Sequence, residues 1–381
     1  MTTDAQTGRL EGLVGRLLDH ESGRLTLTAT LDLTPDGSGQ PPVLQPFRHA
    51  AREAGAGLES REAGALDEDI TALLAAAEDA SARGVLGLVW VSHPVVEGHA
   101  DPAPFTILEL AQPIRSSVSV GDGPRVFEVA RAAYLDRPVA LVTTDMHTMD
   151  VVRVRYGAAT GSDEVDWPQH YTSKLGQRTN RSAQGGPVGG TAGTGHAYAN
   201  VERWVEAQRN LFANEAEEHV AKFVHPDDLL VVEGVDEARS QLLARLPESV
   251  AARAVQLNAP PHGEEERERY ERLRHLALDV QLENGRRRTE QWFGGAEPNA
   301  VNGLEAIGHA CEQGRVATVI VHQDAVDHLG TVEDTRLHES SIDGDAVERL
   351  LQAALRQGAL AVFADDERLL GEGGIVAIGR Y

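Results

Sequence analysis

The chain closes on the segment Gly-Gly-Ile-Val-Ala-Ile-Gly-Arg-Tyr at residues 373–381, which carries the most distinctive pattern in the sequence. Two glycines precede a short apolar run of strand length, and this pattern predicts a buried β-strand. Similar apolar runs stand upstream at 316–322 and 360–364. Helical patterns at 300–312 and 345–357 precede those runs, and each ends just before a glycine. Alternating helices and apolar strands predict a layered α/β domain over the last third.

The middle third begins with two further strand patterns. Residues 139–144 (VALVTT) are a buried strand, and 149–156 (MDVVRVRY) alternate, so the two form a predicted hairpin. A glycine-rich stretch follows at 167–200, and such long connections are usually functional or disordered. Asn200 is a suitable N-cap for a helix of about six turns that begins at Val201. A strand at 228–235, a helix at 236–246 and a strand at 253–257 complete this part.

The first third contains weaker signals of the same kind. Strand patterns occur at 24–33, 85–92 and 115–120, and helical patterns at 10–18, 66–83 and 125–134. A Pro-containing turn at 136–138 marks a boundary. We therefore predict an α/β fold of three domains. They are an N-terminal α/β domain at 1–136, a central domain at 137–262 with a glycine-rich loop at 167–200, and a C-terminal α/β/α sandwich at 263–381.

Composition limits the classes of protein to consider. The 381 residues include a single cysteine, Cys311, so neither an intramolecular disulfide nor a cysteine-built zinc site is possible. The polar N-terminus has no apolar core of a secretory signal. Apolar runs such as 85–91 fall far short of the roughly 20 residues that span a bilayer. These features predict a cytoplasmic protein with no membrane partner.

The charge distribution is uneven. A net charge of −24 argues against nucleic-acid binding, because phosphate backbones are bound by basic side chains. Residues 167–201, however, contain no Asp or Glu, and Asp166 is the last acid before them. At the average frequency of the chain, this segment would contain about five acids. This segment carries Lys174, Arg178 and Arg181. Either it is a polar loop that happens to lack acids, or it is kept free of repulsion so that it can enter an RNA-lined space.

The closing segment resembles the Gly-Gly-Ile-x-x-Ile-Leu-Arg-Tyr strand that ends the C-terminal domain of archaeo-eukaryotic class-1 release factors and Pelota. Residues 302–306 and 316–321 resemble the helix and apolar strand that precede it in that superfamily. The middle third is similar to the superfamily's central, ribonuclease-H-like domain. The resemblance covers roughly 139–381, and in the first third it is only topological.

This resemblance implies a tRNA-shaped, ribosome-binding protein of translation that occupies the A site of the 70S ribosome. The implied partners are ribosomal RNA and a translational GTPase such as elongation factor Tu. Two functions on the ribosome remain open, beside a third possibility, a stress-response protein without a ribosomal role, for which the strong acidity is the main support. The first is ribosome hibernation or translational stress, as in Balon-type hibernation factors, without catalysis. The second is peptidyl-tRNA hydrolysis on stalled complexes, as in the Vms1/ANKZF-like hydrolases.

Two sequence motifs of release factors are missing from this chain, and their absence restricts the predicted function. Release factors carry Gly-Gly-Gln in the central-domain loop, whereas this loop contains Gln184-Gly185-Gly186 in the reverse order. The stop-codon motif Asn-Ile-Lys-Ser is absent, and its companion motif needs a cysteine that the first third lacks. We therefore expect no stop-codon reading.

The candidate site residues all belong to the glycine-rich loop. Gln184 and Gln177 are the candidates for positioning a hydrolytic water, against the alternative of a loop without chemistry. The expected RNA contacts are Lys174, Arg178, Arg181, Gly185 and Gly186. No cofactor or metal site is predicted. Asp145 follows a buried strand, as a ribonuclease-H metal ligand would, but the sequence does not supply the further acids that a two-metal site requires.

Overall fold

The computed structural model describes residues 10–19, 24–37, 39–94, 106–110, 112–144, 148–155, 158–166, 218, 220, 222–225, 228–261, 263–326 and 342–380. Contacts group the chain into two compact units. One contains residues 137–277, and the other contains residues 1–136 together with 278–381. The predicted division into three domains, with its boundary at 262, stays a prediction.

The N-terminal part contains an antiparallel sheet with strand order β3-β2-β1-β4. Its strands are β1 (Thr26–Asp32), β2 (Gly87–Ser92), β3 (Thr106–Leu110) and β4 (Ser117–Gly121). Its helices are α1 (Leu10–Leu18), α2 (Leu44–Ala54), α3 (Ser60–Ala82) and α4 (Phe127–Leu135). The sequence patterns locate α1, α3, α4 and three of these strands to within several residues, but they miss α2 and β3.

Both faces of β1 are buried, although its sequence alternates apolar and polar residues. Leu27 and Leu31 pack with Phe47 of α2 and Leu73 of α3 in one apolar cluster. The threonines face the other way, and Thr30 donates a 2.6 Å hydrogen bond from its hydroxyl to a backbone carbonyl. The polar half of the alternation therefore marks an interior polar face rather than a solvent-facing one.

The unit of residues 137–277 is built on a five-stranded sheet with order β7-β6-β5-β8-β9. Its strands are β5 (Val139–Thr144), β6 (Thr148–Arg155), β7 (Ala158–Asp166), β8 (Leu229–Gly234) and β9 (Val255–Asn258). β5, β6 and β7 pair antiparallel, while β5, β8 and β9 pair parallel. Helices α5 (Asp236–Leu243) and α6 (Glu248–Ala251) lie between β8 and β9. The hairpin is confirmed, and so is the α/β fold predicted for this region.

Close backbone packing explains one glycine of this sheet. Gly234 ends β8 beside Thr144, with which it pairs in register. A Cβ atom at this position would lie 1.9 Å from the Thr144 carbonyl oxygen. Only glycine therefore allows β5 and β8 to stay paired up to their carboxyl ends.

The C-terminal sheet has the order β10-β13-β11-β12. Its strands are β10 (Ala300–Val301), β11 (Val316–His322), β12 (Leu360–Ala364) and β13 (Ile375–Gly379), and β11 and β12 are parallel. The last helices are α7 (Glu266–Phe293), α8 (Leu304–Glu312), α9 (Gly344–Arg356) and α10 (Arg368–Gly371). Trp292 of α7 packs on Ile320 and Val376 and donates its indole N–H to the Ala377 carbonyl at 3.1 Å. The layered α/β arrangement predicted for this part is confirmed.

Two helices differ at their ends from the sequence prediction. The strongly charged helical pattern of residues 264–283 predicts that α7 stops at Glu283, but the helix continues to Phe293 with Gly285 inside it. A Cβ atom on Gly285 would meet the Phe363 carbonyl oxygen at 2.4 Å, so this glycine serves close helix–strand packing. The helix predicted from Ala300 begins at Leu304 instead, since Ala300 and Val301 pair with β13. Within the described ranges, no helix combines the length and apolarity needed to cross a membrane.

Candidate functional site

The residues predicted to contact RNA or to position water lie outside the described residues. They are Lys174, Gln177, Arg178, Arg181, Gln184, Gly185 and Gly186. Asp145, Asn200 and most of the helix predicted from Val201 also lie outside them. The structure does describe the strand before this part, which ends at Asp166, and the residues 222–225 that precede β8. The candidate site is therefore defined by the sheet whose strand β7 ends at Asp166, just before the glycine-rich loop.

The carboxyl ends of the parallel strands β5 and β8 bring Thr143 and Glu233 side by side, in register. Ligands of open α/β sheets usually bind at this kind of edge. The Glu233 side chain is only 1% exposed. A buried carboxylate must be paired and hydrogen-bonded to remain charged, so its partners decide what this edge can do.

Two arginines of α7 occupy both oxygens of the Glu233 carboxylate. Arg269 donates from Nε to Oε2 at 2.9 Å, and its Nη2 atom also donates to Thr143 Oγ1. Arg272 donates from Nη2 to Oε1 at 2.8 Å. Because the two arginines are three residues apart on one helix, they reach the edge from the same helical face.

The ion-pair network continues to a second carboxylate. Arg272 binds Glu264 with two hydrogen bonds, from Nε at 2.8 Å and from Nη2 at 2.9 Å. The bidentate contact lowers the pKa of Glu264 and raises the pKa of Arg272. Two carboxylates and two guanidinium groups balance in charge. With both of its oxygens bound by arginine, Glu233 is neither a free general base nor an open metal ligand.

The amino end of β8 carries a second buried carboxylate, Asp228. Arg153 of β6 donates to it from Nε at 3.1 Å and from Nη2 at 2.8 Å, and the His225 backbone N–H donates at 3.0 Å. Asp228 is fully buried. These contacts connect the residues that precede β8 to β6. Buried ion pairs therefore lie at both ends of β8, that of Asp228 at its start and that of Glu233 at its end.

Among the described residues, one group has the spacing of metal ligands: His322, Asp324 and Asp365, whose ligand atoms lie within 4.8 Å of one another. The His322 Nδ1 atom already accepts the Asp324 backbone N–H at 3.1 Å. The Asp324 carboxylate accepts a 2.6 Å hydrogen bond from Arg115. Burial lowers the pKa of His322. These contacts account for the group as a structural cluster.

Sequence reasoning missed Glu233, Arg269 and Arg272. A signal was present, because a glutamate inside the apolar run of residues 229–234 must find a cation when the strand is buried. The sequence does not show which cation, since 36 residues separate Glu233 from Arg269.

Comparison with known proteins finds a family match over the region that contains this site. Residues 124–275 match the model of bacterial archaeo-eukaryotic release factor family 10. The Mycobacterium tuberculosis proteins named Uncharacterized protein Rv2629 (strain H37Rv) and Uncharacterized protein MT2704 (strain CDC 1551) are each 27% identical over 272 residues. Each match covers 64% of this chain and 66% of the relative, just under two thirds of its length.

Similar solved structures include Pelota and Dom34. Archaeoglobus fulgidus Pelota is 16% identical, with a TM-score of 0.33, and the match covers 77% of this chain and 79% of that one. Saccharomyces cerevisiae Dom34, a translation termination-like factor that interacts with Hbs1, is 10% identical, with a TM-score of 0.42, and coverage is 77% and 80%. An archaeal Pelota in a model of its ribosome-bound state with ABCE1 is 15% identical, with a TM-score of 0.36, and coverage is 77% and 78%.

Proposed function

We propose, from the match of residues 124–275 to the bacterial archaeo-eukaryotic release factor model and from the release-factor and Pelota resemblance of the sequence, that this chain is a ribosome-binding protein of translation. It occupies the A site of the 70S ribosome in place of a tRNA, does not read stop codons, and acts in hibernation or translational stress. Its location is cytoplasmic, and a translational GTPase such as elongation factor Tu is its candidate partner.

One observation carries the proposal. The family match at 124–275 encloses the acid-free segment 167–201, in a chain whose net charge is −24. A strongly acidic protein would be repelled by ribosomal RNA unless the approaching segment lacked acids and carried cations. Lys174, Arg178 and Arg181 supply those cations.

The chemistry of the described edge favours binding over hydrolysis. Both oxygens of Glu233 are bound by arginine, so this carboxylate cannot activate a water. The contacts with RNA then come from the acid-free segment 167–201. Within it, Gly185 and Gly186 allow a close approach of the backbone to RNA.

Co-sedimentation with vacant 70S ribosomes tests the proposal. Stoichiometric pelleting that weakens as salt is raised is the expected result, because phosphate contacts release counterions. A variant that lacks residues 172–195 should lose most of the binding. If the full chain stayed in the supernatant at low salt, with and without elongation factor Tu, the ribosomal function would be wrong. Unchanged binding by the deletion variant would refute the assigned role of the segment.

A second function, peptidyl-tRNA hydrolysis, is favoured by Gln177 and Gln184, which lie inside the same segment. A glutamine held near the ester could orient a water without acting as a base. Release of peptide from ribosome-bound peptidyl-tRNA, lost in Gln184→Ala or Gln177→Ala, would establish it. If the wild-type chain released no peptide, this alternative would be removed and the binding role would stand.

A further inference from the structure

Strand β4 forms one edge of the N-terminal sheet, and residues 117–120 of this strand line a groove with a volume of about 450 Å³. The groove lies within the unit that contains residues 1–136 and 278–381. Its other walls come from β1, the end of α2 and the starts of α4 and α9. The groove is separate from the residues assigned to ribosome binding, so a ligand here is independent of that proposed function.

The backbone groups of β4 that point away from the sheet belong to Val118 and Val120. In β1, the Asp32 N–H donates to the Ser116 hydroxyl at 2.8 Å, on the side of β4. Backbone groups of successive strand residues point to opposite sides, so the even-numbered residues of β1 face β4. Their register partners, which face β1 in turn, are Ser117, Ser119 and Gly121. The N–H and C=O groups of the two valines between them therefore point into the groove.

This edge is open to a further strand. Among the described residues, none forms a hydrogen bond with the outward N–H and C=O groups of Val118 and Val120. The two side chains pack on the apolar cluster of the N-terminal part, so these residues present their backbone to the groove. Edge strands are usually shielded by charged side chains, proline or a bulge. β4 (Ser-Val-Ser-Val-Gly) has none of these, whereas β3, at the opposite edge, carries Glu109 in an ion pair with Arg83.

The walls on the two faces of the sheet are small and polar. One face contributes the hydroxyl groups of Thr28, Thr30, Ser117 and Ser119. The Thr28 hydroxyl accepts the Arg125 backbone N–H at 3.1 Å. The end of α2, which packs on the other face, contributes Ala54. Such walls fit an extended chain with short side chains, and an extended peptide that adds to a free sheet edge is a common mode of recognition.

The charge of the ligand is set by the chain as a whole, because the carboxylates at the groove already have partners. These are Glu128 with Arg131, Asp345 with Arg125, and Glu348 with the backbone at the start of α4. The net charge of −24 attracts a cationic segment and repels a second copy of the same chain. Asp122, which is exposed directly after β4, places a further acid at the end of this edge.

We propose that this groove binds a cationic, extended peptide segment of a partner protein, which pairs with β4 as a fifth strand of the sheet. The segment exchanges hydrogen bonds with the outward N–H and C=O groups of Val118 and Val120. Its side chains alternate between the hydroxyl wall and Ala54. β4 has five residues, which span about 17 Å, and the added strand is of similar length.

Isothermal titration calorimetry at fixed ionic strength tests this site on the full chain. The probe is the acetylated and amidated peptide Lys-Thr-Val-Thr-Val-Thr-Lys, for which we expect saturable one-to-one binding. The same peptide N-methylated at both valines keeps its charge but lacks two amide hydrogens. It should bind about tenfold more weakly or worse, because two backbone hydrogen bonds are lost.

Proline variants of the protein test the same contacts from the other side. Val118→Pro removes one outward N–H and leaves the hydrogen bonds to β1 in place, so it should weaken binding about tenfold or more. Ile107→Pro is the matched control, because the same alternation points its N–H outward from β3, at the opposite edge, and it should bind as the wild type does. Hydrogen–deuterium exchange should show slower exchange of residues 117–121 when the peptide is bound. If circular dichroism shows that Val118→Pro does not fold, Val120→Pro and the N-methylated peptide decide the question.

Several results would overturn the proposal. One is the absence of saturable binding, and another is equal binding of the N-methylated peptide, which would indicate attraction to the acidic surface alone. A wild-type dimer in sedimentation that Val118→Pro dissociates would show that a second copy occupies the edge. Val326 and Ile342 also line the groove. Peptide binding only by a variant with a Gly-Ser linker in place of residues 328–340 would therefore show that the chain's own residues occupy it.

Discussion

The carboxylate of Glu348 accepts a 2.7 Å hydrogen bond from the backbone N–H of Val126, at the start of α4 and 222 residues away in sequence. Its second oxygen accepts the Phe127 N–H at 3.1 Å. α4 has no capping side chain of its own at Val126, so a residue of α9 performs that role. A carboxylate at a helix N-terminus is stabilised by the free N–H groups and by the helix dipole.

Glu348→Ala should therefore destabilise the protein by roughly 2–4 kcal/mol, because it leaves two buried N–H groups without an acceptor. Urea denaturation followed by circular dichroism measures the change. Glu305→Ala, at an exposed position of α8, is the matched control and should change the free energy of unfolding by less than about 0.5 kcal/mol. A loss no larger than that of the control would show that Glu348 does not cap α4.

The pH dependence of stability at the same position has a defined sign. Burial raises the pKa of Glu348 in the folded protein. The folded state then binds more protons than the unfolded state, so this group's contribution to stability falls as pH rises. The free energy of unfolding of the wild type, relative to Glu348→Gln, should decrease from acidic to neutral pH. A difference that grew with pH would contradict the assignment.

Glu233→Ala should destabilise the protein by roughly 3–5 kcal/mol at most, because it leaves the partly buried Arg269 without its carboxylate partner, while Arg272 keeps Glu264. Thermal or urea unfolding of the variant measures the loss. Glu283→Ala, an exposed position of α7, serves as the control. If Glu233→Ala were as stable as this control, the edge of β5 and β8 would not depend on the ion-pair network.

Tyr270 should titrate well above the ordinary pKa of a tyrosine. Burial, and then its hydrogen bond to Glu266, raise its pKa to about 12. The pKa of this tyrosine in the unfolded chain is about 10, so between about pH 10 and 12 the folded state keeps a proton that the unfolded state has lost. The stability that this group contributes is fully present below about pH 10. Its contribution is therefore lost as pH rises from about 10 to 12. The difference in phenolate absorbance between the wild type and Tyr270→Phe isolates this titration. A midpoint near that of a free tyrosine would contradict the prediction, and Glu266→Gln should lower the midpoint.

Substituting Lys174, Arg178 and Arg181 together by alanine should weaken ribosome binding about tenfold or more and reduce its salt dependence. Co-sedimentation across a salt series measures both effects. The matched control is the triple alanine variant of Arg48, Arg267 and Arg349, which are exposed and lie outside the segment. Equal weakening by the two triple variants would indicate a general charge effect.

The local elements of the fold were largely predictable. β5, β11 and β12 have the bounds that the sequence predicts, because short apolar runs between turns behave as buried strands in most contexts. The prediction fails at Gly285, which is a weak helix former by local propensity and which the structure uses for close packing on β12. It also fails for β10, whose two residues become a strand only by pairing with β13.

For the candidate site, sequence alone determined composition and spacing: an acid-free segment with three cations, a reversed Gly-Gly-Gln motif, and a closing strand typical of the superfamily. These are properties of consecutive residues, so no coordinates are needed to find them. The tertiary structure alone decided the partners of the buried charges. Glu233 meets Arg269, Glu348 meets Val126, and Glu128 Oε1 meets no donor among the described residues. Such pairings join residues far apart in sequence, and desolvation makes them obligatory only once the chain has folded around them.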